Sequence, residues 1–310
     1  MLNALKCKRD ELDILNLKMI DRVVDEFRYA ARVFKPYRSL RKVSIFSSAR
    51  VPEDDPHYAL AESFGRLISE RGFMAITGAA SGIMKAGIDG AGIENSFGVN
   101  ILLPFESPNS VMQDDPKLVT FRFFFTRKIF FVMEVDACAL FPGGFGTHHE
   151  GFEVLTLLQT GKAQPMPLVI MELPGNNYWK SWDRFVRDQV LARGYISPED
   201  LYLYKIAHSS EEATAWIQSY YSTYHSIRQV RDRLVMRLEK ELSEDQIGQL
   251  NRSFADLVVA GEIVKAEPLP QEEDEPNLLS KPRISFRNNK QSAGRLNEMI
   301  LAINEMGSGV

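Results

Sequence analysis

The stretch ACALFPGGFGTHHE, residues 137–150, decides how this chain is read. Its opening, 137–141, is an unbroken apolar run of the length of a strand buried on both faces. Gly143, Gly144 and Gly146 follow within four positions, and a helical pattern then covers 147–160. A buried strand that passes through a glycine turn straight into a helix is the repeating unit of a parallel α/β sheet. Bare backbone N–H groups at a helix N-terminus, with the dipole behind them, suit an anion such as phosphate. The same residues also fit a plain tight turn in which Thr147 and Glu150 form a capping box. The two readings differ in where Glu150 points: back to the Thr147 backbone, or into a cleft.

Outward from this stretch the alternation continues. Strands are expected at 43–46, 73–77, 98–103 and 168–171, and helices at 58–71, 82–94, 124–135 and 179–193. This pattern predicts an α/β chain, a Rossmann-like doubly wound parallel sheet with helices on both faces, whose ligands sit beyond the C-terminal strand ends. A second glycine loop, Thr77-Gly-Ala-Ala-Ser-Gly82, joins a strand to a helix and supplies Gly78 and Gly82. It lacks the Gly-x-Gly-x-x-Gly spacing and the following acidic residue of a dinucleotide site. Ser47, Ser48 and Arg50 follow the first strand. Three anion-friendly loops at strand ends suggest a mononucleotide or phosphosugar site and argue against NAD.

An amphipathic helix is expected over 11–34, stopped by Pro36. Near the other end, Ser209 and Glu212 form a capping-box pattern that opens a helix through about Tyr224, and 228–242 and 246–259 read as two more helices. The segment 267–282 holds four prolines and the acidic run 272–275, a composition that favours disorder. A basic patch (Lys281, Arg283, Arg287, Lys290, Arg295) and a short amphipathic end follow. The expected organisation is therefore a helical segment 1–41, a nucleotide-binding domain 42–224, a helical extension 225–264, and a flexible linker with a short terminal helix 265–310.

Composition excludes several classes. With 37 basic and 41 acidic residues the formal charge is −4, which gives no pull toward a phosphate backbone or an anionic membrane, so nucleic acid is not an expected partner. The two cysteines, Cys7 and Cys138, exclude a disulfide framework and a cysteine-rich zinc site, and point to a reducing, cytoplasmic setting. The N-terminus has no apolar block of the signal-peptide kind. Every apolar stretch is broken by charge before the roughly 18 residues of a membrane span.

Arg127 and Lys128 stand amid Phe123, Phe124, Phe125, Phe130 and Phe131. Either they form the solvated stripe of a helix, or Arg127 reaches a cleft where its fork holds phosphate or steers a leaving base. His148 and His149 are adjacent and point about 100° apart on a helix. His149 and Glu153 share a face but are too few to specify a metal, so no metal is expected. Asp114 and Asp115, before Pro116, read as turn residues, and Trp179 and Trp182 as core or interface. Phe105, Glu106 and Asn109, just past a strand end, are candidates for substrate contact.

These residues together resemble the LOG (Lonely Guy) family of cytokinin riboside 5′-monophosphate phosphoribohydrolases and its bacterial relatives, some labelled "possible lysine decarboxylase". Residues 142–150 match the family's Pro-Gly-Gly-x-Gly-Thr-x-x-Glu motif, and Arg127-Lys128 its upstream Arg-Lys pair. Glu153, Thr156 and 159–162 are similar too, within a likeness that runs from about Lys42 to Tyr224. The resemblance implies hydrolysis of the N-glycosidic bond of a nucleoside 5′-monophosphate, with no cofactor, by a homodimer or larger homo-oligomer. It makes Arg127 and Glu150 catalytic and gives the phosphate to Gly143, Gly144, Gly146 and Thr147. Ser48, Gly78, Gly82, Asn109, Lys128, Glu153 and Thr156 complete the expected substrate-binding set. Four positions depart from the family: Ala79 and Ala80 replace glycines, His149 replaces an acidic residue, and Lys85 stands where an acidic residue is frequent. A second function stays open on that account, a regulator that binds nucleotide without useful turnover and whose charged tail touches a protein partner.

Overall fold

The computed structural model describes residues 6–7, 9–102, 111–290 and 292–307. The chain forms two compact units, Met1–Val135 and Asp136–Val310. The first opens with helix α1 (Ile14–Phe34), started by the Asp13 side chain, which accepts from the Asn16 N–H at 2.8 Å. Parallel strands β1 (Lys42–Phe46), β2 (Met74–Thr77), β3 (Ser96–Ile101) and β4 (Leu118–Phe121) then lie in the order β4-β3-β2-β1. Helices α2 (Pro56–Glu70), α3 (Ile83–Ala91) and α4 (Phe124–Met133) complete this unit. β1 and β2 are buried along their whole length, as strands of a helix-covered sheet should be.

The second unit holds parallel strands β5 (Ala137–Leu140), β6 (Leu168–Met171) and β7 (Tyr204–Ala207), with helices α5 (Phe145–Gln159), α6 (Tyr178–Phe185) and α7 (Ser210–Tyr220). α6 runs on as a π-helical segment, Val186–Leu191. Seven parallel strands flanked by helices make this the expected Rossmann-like α/β fold. The Ser209 hydroxyl caps α7 by accepting from the Glu212 N–H at 3.1 Å, while the Glu212 carboxylate reaches the N–H of His208 rather than that of Ser209.

Beyond α7 the chain departs from expectation. The helix expected over 228–242 is a hairpin, β8 (Tyr224–Val230) and β9 (Arg233–Leu238), turned by Arg231-Asp232 with Arg231 at φ 53°. With β10 (Val264–Lys265) and β11 (Arg283–Phe286) it forms an antiparallel sheet in the order β10-β11-β9-β8. Helices α8 (Glu244–Ser253) and α9 (Ala293–Gly307) cover its core of Leu234, Met236, Leu250, Ile284, Met299 and Ile300. The segment expected to be a flexible linker is instead fixed by the fully buried Glu272. Its proline turns carry short 3₁₀ helices, Pro270–Glu272 and Pro276–Leu278. No helix among the described residues is long and apolar enough to cross a membrane.

Candidate functional site

In the second unit, α5 starts at Phe145, two residues earlier than the sequence suggests, with Gly144 as its N-cap and no side chain capping it. Thr147 therefore lies inside the first turn, its N–H bonded to the Gly144 carbonyl at 3.1 Å. A capping box needs Thr147 outside the helix, so that reading of Thr147 and Glu150 is excluded. Both side chains are buried. The Glu150 carboxylate lies close enough to Cys138, on β5, to help burial push that thiol's pKa up.

The glycines of this loop are not required by backbone shape. Gly144 has φ −86°, Gly146 is helical, and a Cβ on either would meet nothing within 4 Å. What their bareness leaves is open space over an uncapped helix N-terminus, with Phe145 between them 96% exposed. Gly143 has a different constraint: its carbonyl accepts from the Tyr178 hydroxyl, which also bonds His148 Nε2 at 2.8 Å. His148 lies edge-on to the buried Trp179 at 5.6 Å between centroids, and its burial holds the imidazole pKa below the usual value. Further along α5, Glu153 is half-buried, while Thr156 is exposed and its hydroxyl donates to the Phe152 carbonyl of its own helix at 2.7 Å. Trp179 is core, as expected of it.

In the first unit, the two expected loops meet. A Cβ on Gly82 would stand 2.6 Å from the Ser48 carbonyl, and Gly82 has φ 67°. Here glycine is demanded twice, by conformation and by the close approach of the loop after β1. Ser48 Oγ accepts from the Arg50 N–H at 3.1 Å, which closes that turn. A Cβ on Gly78 would fall 2.7 Å from Arg127 Nη2, so its bareness admits the guanidinium. Arg127 Nε donates to the Val99 carbonyl at 2.8 Å, and the group lies 4.8 Å above the Phe131 ring. Ser48, Gly78, Gly82 and Arg127 are thus gathered where β1, β2 and β3 end.

The solvated-stripe reading of α4 is overturned. Lys128 is buried and Arg127 half-buried, whereas Phe124, Phe125, Ile129 and Met133 are exposed. Lys85 is engaged by Asp89 at 2.6 Å, Glu53 at 3.1 Å and the Tyr58 hydroxyl at 3.1 Å, and the two carboxylates and the hydroxyl hold its ammonium in the charged form. Asp114, at φ 68°, and Asp115 are turn residues. Asn109, Phe105 and Glu106 lie outside the described residues. No group of three His, Cys, Asp or Glu among the described residues could hold a metal ion. Sequence reasoning passed over Tyr178 and Val99, because neither a hydroxyl reaching a loop carbonyl nor a strand carbonyl accepting a guanidinium is marked by a motif.

A parallel α/β sheet flanked by helices, with glycine loops at strand ends, defines the class by its fold, a Rossmann-like α/β protein. Residues 74–217 match the family model described as "Possible lysine decarboxylase". None of the curated proteins matches the chain. Among solved structures it is similar to TM1055, a structural-genomics target, at 18% identity over 58% of this chain and 99% of that one, with a TM-score of 0.42. A molybdenum cofactor binding protein from the phototrophic bacterium Rippkaea orientalis is 19% identical over 57% of this chain and 94% of its own, with a TM-score of 0.41. The molybdenum cofactor carrier protein of Chlamydomonas reinhardtii is 15% identical over 58% and 96%, with a TM-score of 0.39.

Proposed function

We propose that the protein is a nucleoside 5′-monophosphate phosphoribohydrolase, which uses water to split the N-glycosidic bond into free base and ribose 5-phosphate. The observation that carries this reading is the start of α5, where bare, open and uncapped backbone stands four to six residues ahead of a buried glutamate. Phosphate held at the N–H groups of 144–146 would anchor the nucleotide. Breaking the bond builds positive charge on the ribose, which the Glu150 carboxylate stabilises while orienting the attacking water. Within the first unit, Arg127 carries a fork of the kind that suits a phosphate or a base. Lysine decarboxylation, the label of the family model, fits less well. A pyridoxal enzyme needs an unhindered Schiff-base lysine with a pyridinium partner, and the best-placed candidate, Lys128, is buried beside Arg127.

A second reading, nucleotide binding without turnover, draws on the first glycine loop. Ala79 there takes φ 54°, a conformation that costs an L-residue about 1 kcal/mol and glycine nothing. Chromatography of AMP, GMP, CMP, UMP and isopentenyladenosine monophosphate after incubation with wild type and Glu150→Ala separates the two. Base released by wild type and not by the variant supports the hydrolase. Silence from both, with nucleotide still bound, supports the regulator. If neither release nor binding is found, both readings fail.

A further inference from the structure

We propose that Tyr178 and His148 are positioning residues that aim the Gly144 N–H at the phosphate, an inference that rests on the phosphate-loop reading above. A tyrosine hydroxyl carries one proton, and here it is donated to the Gly143 carbonyl. Toward His148 the oxygen is therefore the acceptor, and His148 Nε2, 2.8 Å away, is the donor. This fixes the tautomer with hydrogen on Nε2. The Gly143 carbonyl and the Gly144 N–H belong to one peptide plane, and the chain has no cis bonds. In a trans peptide these two groups point in opposite directions. A hydroxyl that pins the carbonyl therefore fixes the direction of the N–H one atom further on. Glycine on both sides makes such a plane the easiest in the chain to rotate, so an external pin has the most effect here.

The pin is itself held. Tyr178 is the first residue of α6, and the buried Glu172 carboxylate accepts from the N–H groups of Trp179 and Lys180, fixing that helix start. The Tyr178 ring packs against Trp179 at 4.9 Å and against His148 at 5.8 Å. The side chain is thus set in place by its ring, and its hydroxyl reaches the loop carbonyl. Tyr178→Phe removes the pin and leaves the packing.

The test compares AMP with adenosine, which lacks the phosphate, by calorimetry on wild type, Tyr178→Phe, His148→Leu and Gly144→Ala. Wild type is expected to prefer AMP. Tyr178→Phe should weaken AMP about three- to tenfold, the worth of one hydrogen bond, with adenosine unchanged. His148→Leu should have a smaller effect of the same selectivity, and it serves if Tyr178→Phe does not fold. A merely structural role would weaken both ligands alike, and that result overturns the inference. An AMP preference kept in Tyr178→Phe but lost in Gly144→Ala overturns it too, while leaving the phosphate loop standing. A wild type without preference for AMP overturns the phosphate loop, and this inference with it.

Discussion

Gly82 and Gly144 both stand in glycine loops at the start of a helix, yet a methyl group would meet different things at the two positions. At Gly82 it would stand 2.6 Å from the Ser48 carbonyl on a backbone at φ 67°, so Gly82→Ala is expected to destabilise the protein by about 2–3 kcal/mol. At Gly144 it would enter open space on a backbone any residue can adopt. Gly144→Ala should therefore leave the urea midpoint within about 0.5 kcal/mol of wild type and still reduce AMP affinity at least several-fold. Denaturation and calorimetry on the two variants check both halves. A Gly144→Ala protein that binds AMP normally would deny that the space is kept for a ligand. In the sequence the two glycines look equivalent, because spacing records that a side chain is missing and not what would have collided with it. Glu150 and Arg127 were legible as candidates by their motif. Tyr178 was not, since its contribution is one hydroxyl reaching a carbonyl from 35 residues away.

Helix α4 shows what element-level reading can miss. A run of aromatic residues around Arg127-Lys128 suggests apolar residues inside and charge outside, but Lys128 is buried with Phe130 and Phe131 while Phe124 and Phe125 are exposed. Phe123 begins α4 without a side-chain cap of its own, and Glu26, from α1, accepts from the Arg122 N–H at 2.8 Å and the Thr126 hydroxyl at 2.5 Å. The carboxylate ties the start of α4 to α1, one residue from the Arg127 side chain that bonds Val99. Glu26→Ala is expected to cost about 1 kcal/mol, seen as a lower urea midpoint. The outward residues Phe124, Phe125, Ile129 and Met133 form an apolar stripe that a self-associating protein would cover. We expect Phe125→Glu to lower the mass measured by light scattering if the homo-oligomer implied by the family resemblance uses this face. An unchanged mass would place the contact elsewhere. Strands β1, β2, β3, β5 and β6 were readable as buried apolar runs. β4 and β7 are four residues each and half-exposed in places, so neither reads as a buried apolar run. The β8–β9 hairpin escaped because its turn is Arg231-Asp232, with neither glycine nor asparagine, while its apolar residues happen to recur at helical intervals.

At the scale of the whole chain, the acidic and basic blocks of the tail look like the mark of disorder or of a waiting partner. In the second unit they pair with residues of their own unit. Arg237 and Arg283 face each other across β9 and β11, a like-charge pair that would oppose strand pairing, and both donate to Glu272 Oε1 at 2.7–2.9 Å. Arg228 holds Asp274 and Glu275, Lys281 holds Glu239, and Arg295 holds Asp256. Composition cannot show this, because a charge run looks the same whether its partners are solvent or a buried arginine. Burial acts to raise the Glu272 pKa, but the Leu269 N–H and the two arginines outweigh it and hold the carboxyl below its usual range. Glu275 is lowered chiefly by Arg237. Folding thus favours the ionised forms. Their contribution to stability is complete above the ordinary carboxylate pKa of about 4.3 and is lost as pH falls through the lower folded values. Glu272→Gln keeps the shape and removes the charge, leaving two buried arginines opposed. It should lower stability by about 3–5 kcal/mol at pH 7, and the gap from wild type should narrow as pH falls below about 4, where wild type loses the same charge. Urea midpoints of the two proteins at pH 7 and pH 3 test this. A gap as wide at pH 3 as at pH 7 would mean that packing around Glu272, and not its charge, holds the acidic segment to the sheet.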